Sequence, residues 1–203
     1  VGADSHEVLH GMGLDTRIGN RFLEPGPGRG GSCFPKDTKA LESIANSFGV
    51  ELPLITTAIA SNESAHKRVA DRVANALGGS LTGKTIAVLG LTFKANTDDT
   101  RESPAIAVIE HLVKGGAKVV AYDPMVTKYE LAGLSLADSA VSAASGADAL
   151  VVLTEWPVFR TVDSAEILQA MTGNVVVDTR RVLDQAKWQA AGAVFPNSSS
   201  RAV

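Results

Sequence analysis

The stretch "GGSCFPKD", residues 30–37, holds the only cysteine of the chain. Pro35 is a favoured first-turn residue for a helix, so the sulfur of Cys33 is expected beside a helix N-terminus. Unpaired N–H groups and the helix dipole favour a thiolate there, and Lys36 adds positive charge if it points the same way. Asp37 is close enough in sequence to orient a water or accept a proton. The preceding "PGPGRGG" lets a substrate approach the backbone closely. The chemistry these residue types suit is covalent, with the thiol as nucleophile. A lone cysteine is more commonly a small buried apolar group, but the glycines and flanking charges favour the nucleophile. One cysteine cannot close an internal disulfide.

A second constellation is "GLTFKANTDDTRESPA", residues 90–105, between an apolar run and a helical pattern. A dinucleotide fold would carry G-x-G-x-x-G here to seat a pyrophosphate at the helix start. That fingerprint is absent. In its place stands a long polar loop with Lys94 and Arg101, both suited to phosphate oxygens, while Ser103 and Pro104 open the helix. Loops of this length inside a compact α/β unit usually have a task. Asp123, in "AYDP", occupies the place of a ribose-binding acid, yet without the glycines it reads as structural. "VVVDTRR" puts Arg180 just past a strand's carboxyl end, where open α/β sheets bind ligands; Arg181 is expected to face solvent. Trp156 and Phe159, in "TEWPVFR", read as packing residues. The four histidines have no zinc-like spacing with cysteine, so no metal site is expected.

The elements that must position these residues fall into two groups. "TKALESIANSF" has a helical apolar spacing from Thr38 to about Phe48, ended by Gly49. A second helix of about 25 residues starts near Pro53 and carries Leu54, Ile55, Ala58, Ile59, Val69, Val73, Ala76 and Leu77 as its apolar stripe. That length suits a helix joining two lobes or a dimer seam, and equally an ordinary core helix. After Gly83 short apolar runs alternate with helical patterns: "TIAVLG", "KVVAYDP", "ALVVLT", "NVVVDT" and "AVFP". Near-continuous Val, Ile, Leu and Ala strands separated by helices indicate a parallel sheet covered on both faces. The fold class is therefore α/β, a helical segment over residues 1–80 followed by a Rossmann-like parallel-sheet domain over residues 81–203.

Composition narrows the function. A formal net charge of −3 among 203 residues and a pI near 5.8 disfavour a nucleic-acid partner. No run approaches the ~20 apolar residues that span a bilayer, and no signal-peptide pattern opens the chain. A soluble, cytoplasmic protein without membrane contact is expected. "VGADSHEVLHGMGLDTRIG" reads like a helical region entered midway, so a piece of a longer protein is expected.

Taken in order and spacing, "RFLEPGPGRGGSCFPKDT", "GLTFKANTDDTRESPA", "AYDP", "TEWPVFR" and "VVDTRRVLD" resemble the UDP-glucose/GDP-mannose dehydrogenase superfamily. The resemblance covers essentially the whole chain, as the back of the central helical domain and the C-terminal nucleotide-binding domain. It implies a two-step, NAD-dependent oxidation of a sugar C6 alcohol to a carboxylate, with UDP-glucose as substrate. Cys33 would carry a thiohemiacetal and then a thioester, and Asp37 would assist its hydrolysis. Phe22, Leu23, Glu24, Pro25, Gly26 and Gly30 would line the sugar nucleotide, and Lys94 and Arg180 would hold its UDP end. Arg17, in "DTRIG", would reach the sugar site of a second copy, which makes a homodimer with shared sites part of the implication. Lys36 and Arg101 would reach the NAD pyrophosphate.

Two departures stand out. Arg29 occupies a place where the family usually has an aromatic, "GYGG" or "GFGG". The family's N-terminal NAD-binding domain, and the threonine, glutamate, lysine and asparagine that polarise the reacting oxygen and water, have no counterpart in these residues, so the chain by itself is expected to be inactive. GDP-mannose or UDP-N-acetylmannosamine oxidation is the alternative within the class. A non-catalytic nucleotide-sugar-binding dimerisation module is the alternative outside it, and a stand-alone NAD-binding domain is disfavoured by the missing glycines.

Overall fold

The computed structural model describes residues 3–21 and 23–196. Three helices come first: α1 (Ser5–Gly13), α2 (Phe34–Ser47) and α3 (Pro53–Ala76). Five strands follow, β1 (Thr85–Leu89), β2 (Lys118–Tyr122), β3 (Leu134–Leu136), β4 (Ala149–Val152) and β5 (Val175–Asp178). Between and after them come α4 (Pro104–Lys114), α5 (Ala140–Ala144), a 3₁₀ turn (Pro157–Thr161), α6 (Ser164–Ala170) and α7 (Gln185–Ala190).

All neighbouring strands pair in parallel, in the order β3-β2-β1-β4-β5. The order reverses between β1 and β4, which is the place where doubly wound sheets open a crevice at their carboxyl ends. Alternation along each strand divides the core. Ile86, Val88, Val151 and Val177 face α3 and α4, whereas Ala87, Leu89, Leu150, Val152 and Val176 face the side that carries Phe159, Ile167 and Trp188. Burying one such Leu or Ile contributes ~1.5–3 kcal/mol. The α/β expectation therefore holds, and Trp156 and Phe159 are packing residues, 6% and 0% exposed.

Two local readings need correction. "AVFP" makes only a single bridge, Val175 to Val194, and no sixth strand. β3 was not expected; its three residues, Leu-Ser-Leu, are too few to show a period. α2 starts at Phe34, four residues ahead of its apolar spacing, with Pro35 in its first turn and Cys33 at its N-cap as expected.

α3 packs against both groups of elements. Its C-terminal half puts Ala70 and Val73 into the sheet core beside α4, and its N-terminal half runs alongside α2. Leu54, counted in the apolar stripe, is 85% exposed. No helix among the described residues is long and apolar enough to cross a membrane.

Candidate active site

Cys33 is the N-cap residue of α2 and is exposed. No side chain caps this helix start, so the first-turn N–H groups beside the sulfur are left without a side-chain acceptor. The Ser32 hydroxyl lies 3.8 Å from Cys33 Sγ. One turn on, the Asp37 N–H donates to the Cys33 carbonyl at 2.9 Å, and the Asp37 carboxylate pairs with Lys36 Nζ at 3.0 Å. That carboxylate, helped slightly by the charge of Cys33, raises the Lys36 pKa. Arg101 is held charged chiefly by Asp99, with Cys33 again a small contributor. Two cations thus stand near the thiol, each already carrying a carboxylate partner. Asp99 answers in kind, pulled down to about 2 by the Arg101 side chain and backbone N–H.

The cysteine loop is seated on the loop after β1. A Cβ on Gly30 would lie 2.3 Å from Pro104 Cδ and 2.4 Å from the Glu102 carbonyl oxygen. Only glycine permits that approach. The Gly31 N–H donates to the same Glu102 carbonyl at 3.3 Å, Gly31 lies against the Phe93 ring, and Lys39 of α2 pairs with the Glu102 carboxylate at 3.1 Å. Lys94 is exposed, with its Nζ 5.2 Å from the Phe93 ring centroid.

Arg180 lies just past β5 with its side chain 13% exposed. Its Nε donates to the Leu153 carbonyl at 3.0 Å, and its N–H donates to Asp178. The guanidinium packs on Gly26, where a Cβ would come within 2.6 Å of Nη1. Glu155 Oε2 lies 3.3 Å from Nε but out of hydrogen-bond alignment, and it has no other partner. Burial pushes Arg180 downward, and Glu155 and then Asp178 oppose that shift. Among the described residues Nη1 and Nη2 donate no hydrogen bond. A desolvated guanidinium with unused donors is prepared for an anion.

Asp123 is fully engaged. Its Oδ2 accepts from the N–H groups of Leu91 and Thr92 and from Trp156 Nε1, while its Oδ1 accepts from Met125 and Val126. These bonds pin the start of the β1 loop to β2 and to the loop after β4. The structural reading of this acid fits its geometry.

The expected site residues are thus gathered unevenly. Cys33, Lys36, Asp37, Gly30 and Arg101 form one group. Gly26 and Arg180 form another, beside a cavity of about 610 Å³ that Pro25 and Gly26 help line with Arg72 and Arg181. Leu23 is half-buried and Glu24 exposed. Phe22 lies outside the described residues. Arg17 stands apart, paired with Asp15 at 2.6 Å with its side chain 87% exposed. Arg181 faces solvent as expected, in an exposed ion pair with Asp4 at 2.8 Å. No group of three or more metal-ligating side chains occurs among the described residues. Sequence reasoning missed Phe93 and Glu155, although both lie inside stretches it had singled out.

A parallel unit with basic side chains around its strand ends, joined to a thiol at a helix start, matches two domain models of one family. The UDP-glucose/GDP-mannose dehydrogenase family's central domain matches residues 1–64, and its UDP binding domain matches residues 87–185. The chain belongs to this family. It is 46% identical over 185 residues to UDP-glucose 6-dehydrogenase of Rhizobium meliloti (strain 1021), covering 90% of this chain and 42% of that protein. A UDP-glucose dehydrogenase from Pyrobaculum islandicum superposes with a TM-score of 0.79 at 32% identity, covering 97% of this chain and 44% of that one. A UDP-D-ManNAc dehydrogenase from Pyrococcus horikoshii gives a TM-score of 0.78 at 29% identity, covering 96% and 44%. The chain therefore spans less than half the length of these relatives.

Proposed function

We propose that this chain is the thiol-bearing and UDP-sugar-binding part of a cytoplasmic UDP-glucose 6-dehydrogenase. Residues 1–80 are read as the rear of the central domain and residues 81–203 as the UDP-sugar domain. The observation that carries the reading is Arg180, a desolvated guanidinium with unused donors packed directly on Gly26 of the segment that leads to Cys33. It ties the strand ends to the cysteine loop, so an anion bound at one is held near the other. Lys94, exposed on the loop after β1, is the second cation for the diphosphate.

In this reading the Cys33 thiolate adds to C6 of the sugar aldehyde, and the aldehyde oxygen takes a proton to give a thiohemiacetal. Loss of hydride from C6 together with the hydroxyl proton, which passes to water, leaves a thioester on Cys33. Water, oriented by Asp37, then cleaves the C–S bond to give the carboxylate and regenerate the thiol. NAD, when bound, is the hydride acceptor; from this chain Lys36 and Arg101, two exposed cations near the thiol, would face its pyrophosphate. The bulk of its cradle is not offered here, since no glycine fingerprint follows β1. A homodimer with shared sites is supported by the exposed apolar side chains Leu41 and Ile44 on α2, Phe48 just after it and Leu54 on α3 and by the outward placement of Arg17.

Calorimetric titration of the chain with UDP-glucose, GDP-mannose, UDP-N-acetylmannosamine and NAD tests the reading. UDP-glucose is expected to bind most tightly and NAD weakly. Preference for either other sugar nucleotide would reassign the substrate, and tight NAD binding alone would overturn the reading.

A further inference from the structure

The inward stripe of α3 runs through Ile59, Asn62, His66, Ala70 and Val73, spaced by three and four residues on one helix face. Ala70 and Val73 are buried, as such a stripe requires. Asn62 and His66 interrupt it with polar groups, and they do so where residues 28 and 29 of the cysteine loop cross the helix. The Arg29 N–H donates to Asn62 Oδ1 at 2.7 Å, and Asn62 Nδ2 donates to the Arg29 carbonyl at 3.1 Å. One carboxamide thus pairs with both backbone groups of one residue, as a neighbouring β-strand would. Among the described residues, no other side chain hydrogen-bonds to the backbone of residues 26–32.

The neighbours of this clamp extend it. Gly28, at φ +145°, lies on the His66 ring, where a Cβ would be 2.5 Å from Nε2. The Arg29 guanidinium donates to Thr38 Oγ1 at 3.0 Å, and that hydroxyl in turn donates to the carbonyls of Phe34 and Pro35 in the first turn of α2. The chain of contacts runs from α3 through Arg29 to the turn that Cys33 caps. It also explains the arginine in a place of expected aromatic character: the side chain is used to brace α2.

We infer that Asn62 is a positioning residue for the Cys33 thiol, acting through the backbone of Arg29. The inference rests on the reading of Cys33 as the nucleophile. Without the clamp, the backbone of residue 29 loses both its hydrogen bonds to α3, the loop keeps only its close packing on His66, Arg180, Phe93 and Pro104, the Gly31–Glu102 bond and the Arg29–Thr38 bond, and the sulfur is held less firmly at the helix start beside Lys36 and Arg101.

The test is the rate of Cys33 alkylation by iodoacetamide at pH 7 in the full chain and in Asn62→Ala and Asn62→Asp, with glutathione as the free-thiol standard. Circular dichroism checks that each variant is folded. Asn62→Asp keeps the shape and the acceptor for the Arg29 N–H but cannot donate to the Arg29 carbonyl. The unaltered chain is expected to react at least about tenfold faster than glutathione, Asn62→Asp about threefold slower than the unaltered chain, and Asn62→Ala about tenfold slower. A fast unaltered chain with folded Asn62→Asp within twofold of it overturns the positioning role alone. An unaltered chain no faster than glutathione overturns the nucleophile reading and the inference with it. Should Asn62→Ala fail to fold, the isosteric Asn62→Asp decides.

Discussion

Residues 3–76 and residues 81–196 use apolar side chains in opposite ways. The first region contributes only Ala45, Ala70 and Val73 to the buried apolar set, while Val8, Met12, Leu14, Ile18, Phe34, Leu41, Ile44, Phe48, Val50 and Leu54 stand exposed. In the second region, only Met125, Val158 and Val194 do so among its large apolar residues. The sheet unit has a continuous buried core on both faces, closed on one of them by α4 together with Ala70 and Val73 at the C-terminal end of α3. The helical region instead spends its internal contacts on seating one glycine-rich loop, so its order depends on a few polar and close-packed contacts, not on a core. Stability and site geometry are thus governed by different regions, and substitutions can separate them.

The largest effect is expected in the sheet core. Leu112→Ala, at a side chain with no exposure, should cost ~3–4 kcal/mol in a urea unfolding titration. Asp123→Ala comes next. It strands several buried donors that now meet at one carboxylate, for a loss of ~3 kcal/mol read the same way. Gly30→Ala should cost ~2 kcal/mol, because its Cβ meets backbone and ring atoms that cannot swing aside. Unlike the first two, it should also weaken UDP-glucose binding at least about tenfold in calorimetry.

A smaller effect is a pH dependence. Burial, with His111 adding to it, lowers the His66 pKa below its ordinary 6.5, and only Glu63 opposes. With the folded pKa below the unfolded one, neutral His66 lends its full stability above about pH 6.5. That stability is lost as pH falls from there through the folded value. His66→Gln should therefore flatten the fall in Tm between about pH 7 and 5 that the unaltered chain shows; an unchanged slope would remove His66 as its source. The smallest effect is expected for Leu54→Ala, on the exposed face of α3, where unfolding of the single chain should shift by less than ~0.5 kcal/mol. A loss as large as that of Leu112→Ala would erase the contrast between the two regions. Association measured by sedimentation is where Leu54→Ala should show instead.

The same contrast explains what could be read from sequence. The sheet strands announced themselves because a strand covered on both faces must be apolar throughout, and α4 did because Ser103 and Pro104 are a helix start in residue type and order. β3 stayed hidden because three residues carry no period. In the helical region Cys33, Pro35 and Gly30 were legible from local chemistry. The clamp of Asn62 on Arg29 was not, because it joins residues 33 positions apart and arises only when the loop crosses α3. Two polar residues on an otherwise apolar stripe were the available signal. Arg180 was placed correctly past a strand end, but its packing on Gly26 is tertiary and had no local trace.

The central claim is that the cysteine loop and the basic strand ends form one site. The most direct measurement is the rate of Cys33 alkylation by iodoacetamide with and without saturating UDP-glucose, repeated in Arg180→Met. UDP-glucose is expected to slow alkylation of the unaltered chain several-fold, with the protection lost in Arg180→Met at the same nucleotide concentration. Equal rates with and without nucleotide, under conditions where calorimetry shows it bound, would contradict a single site.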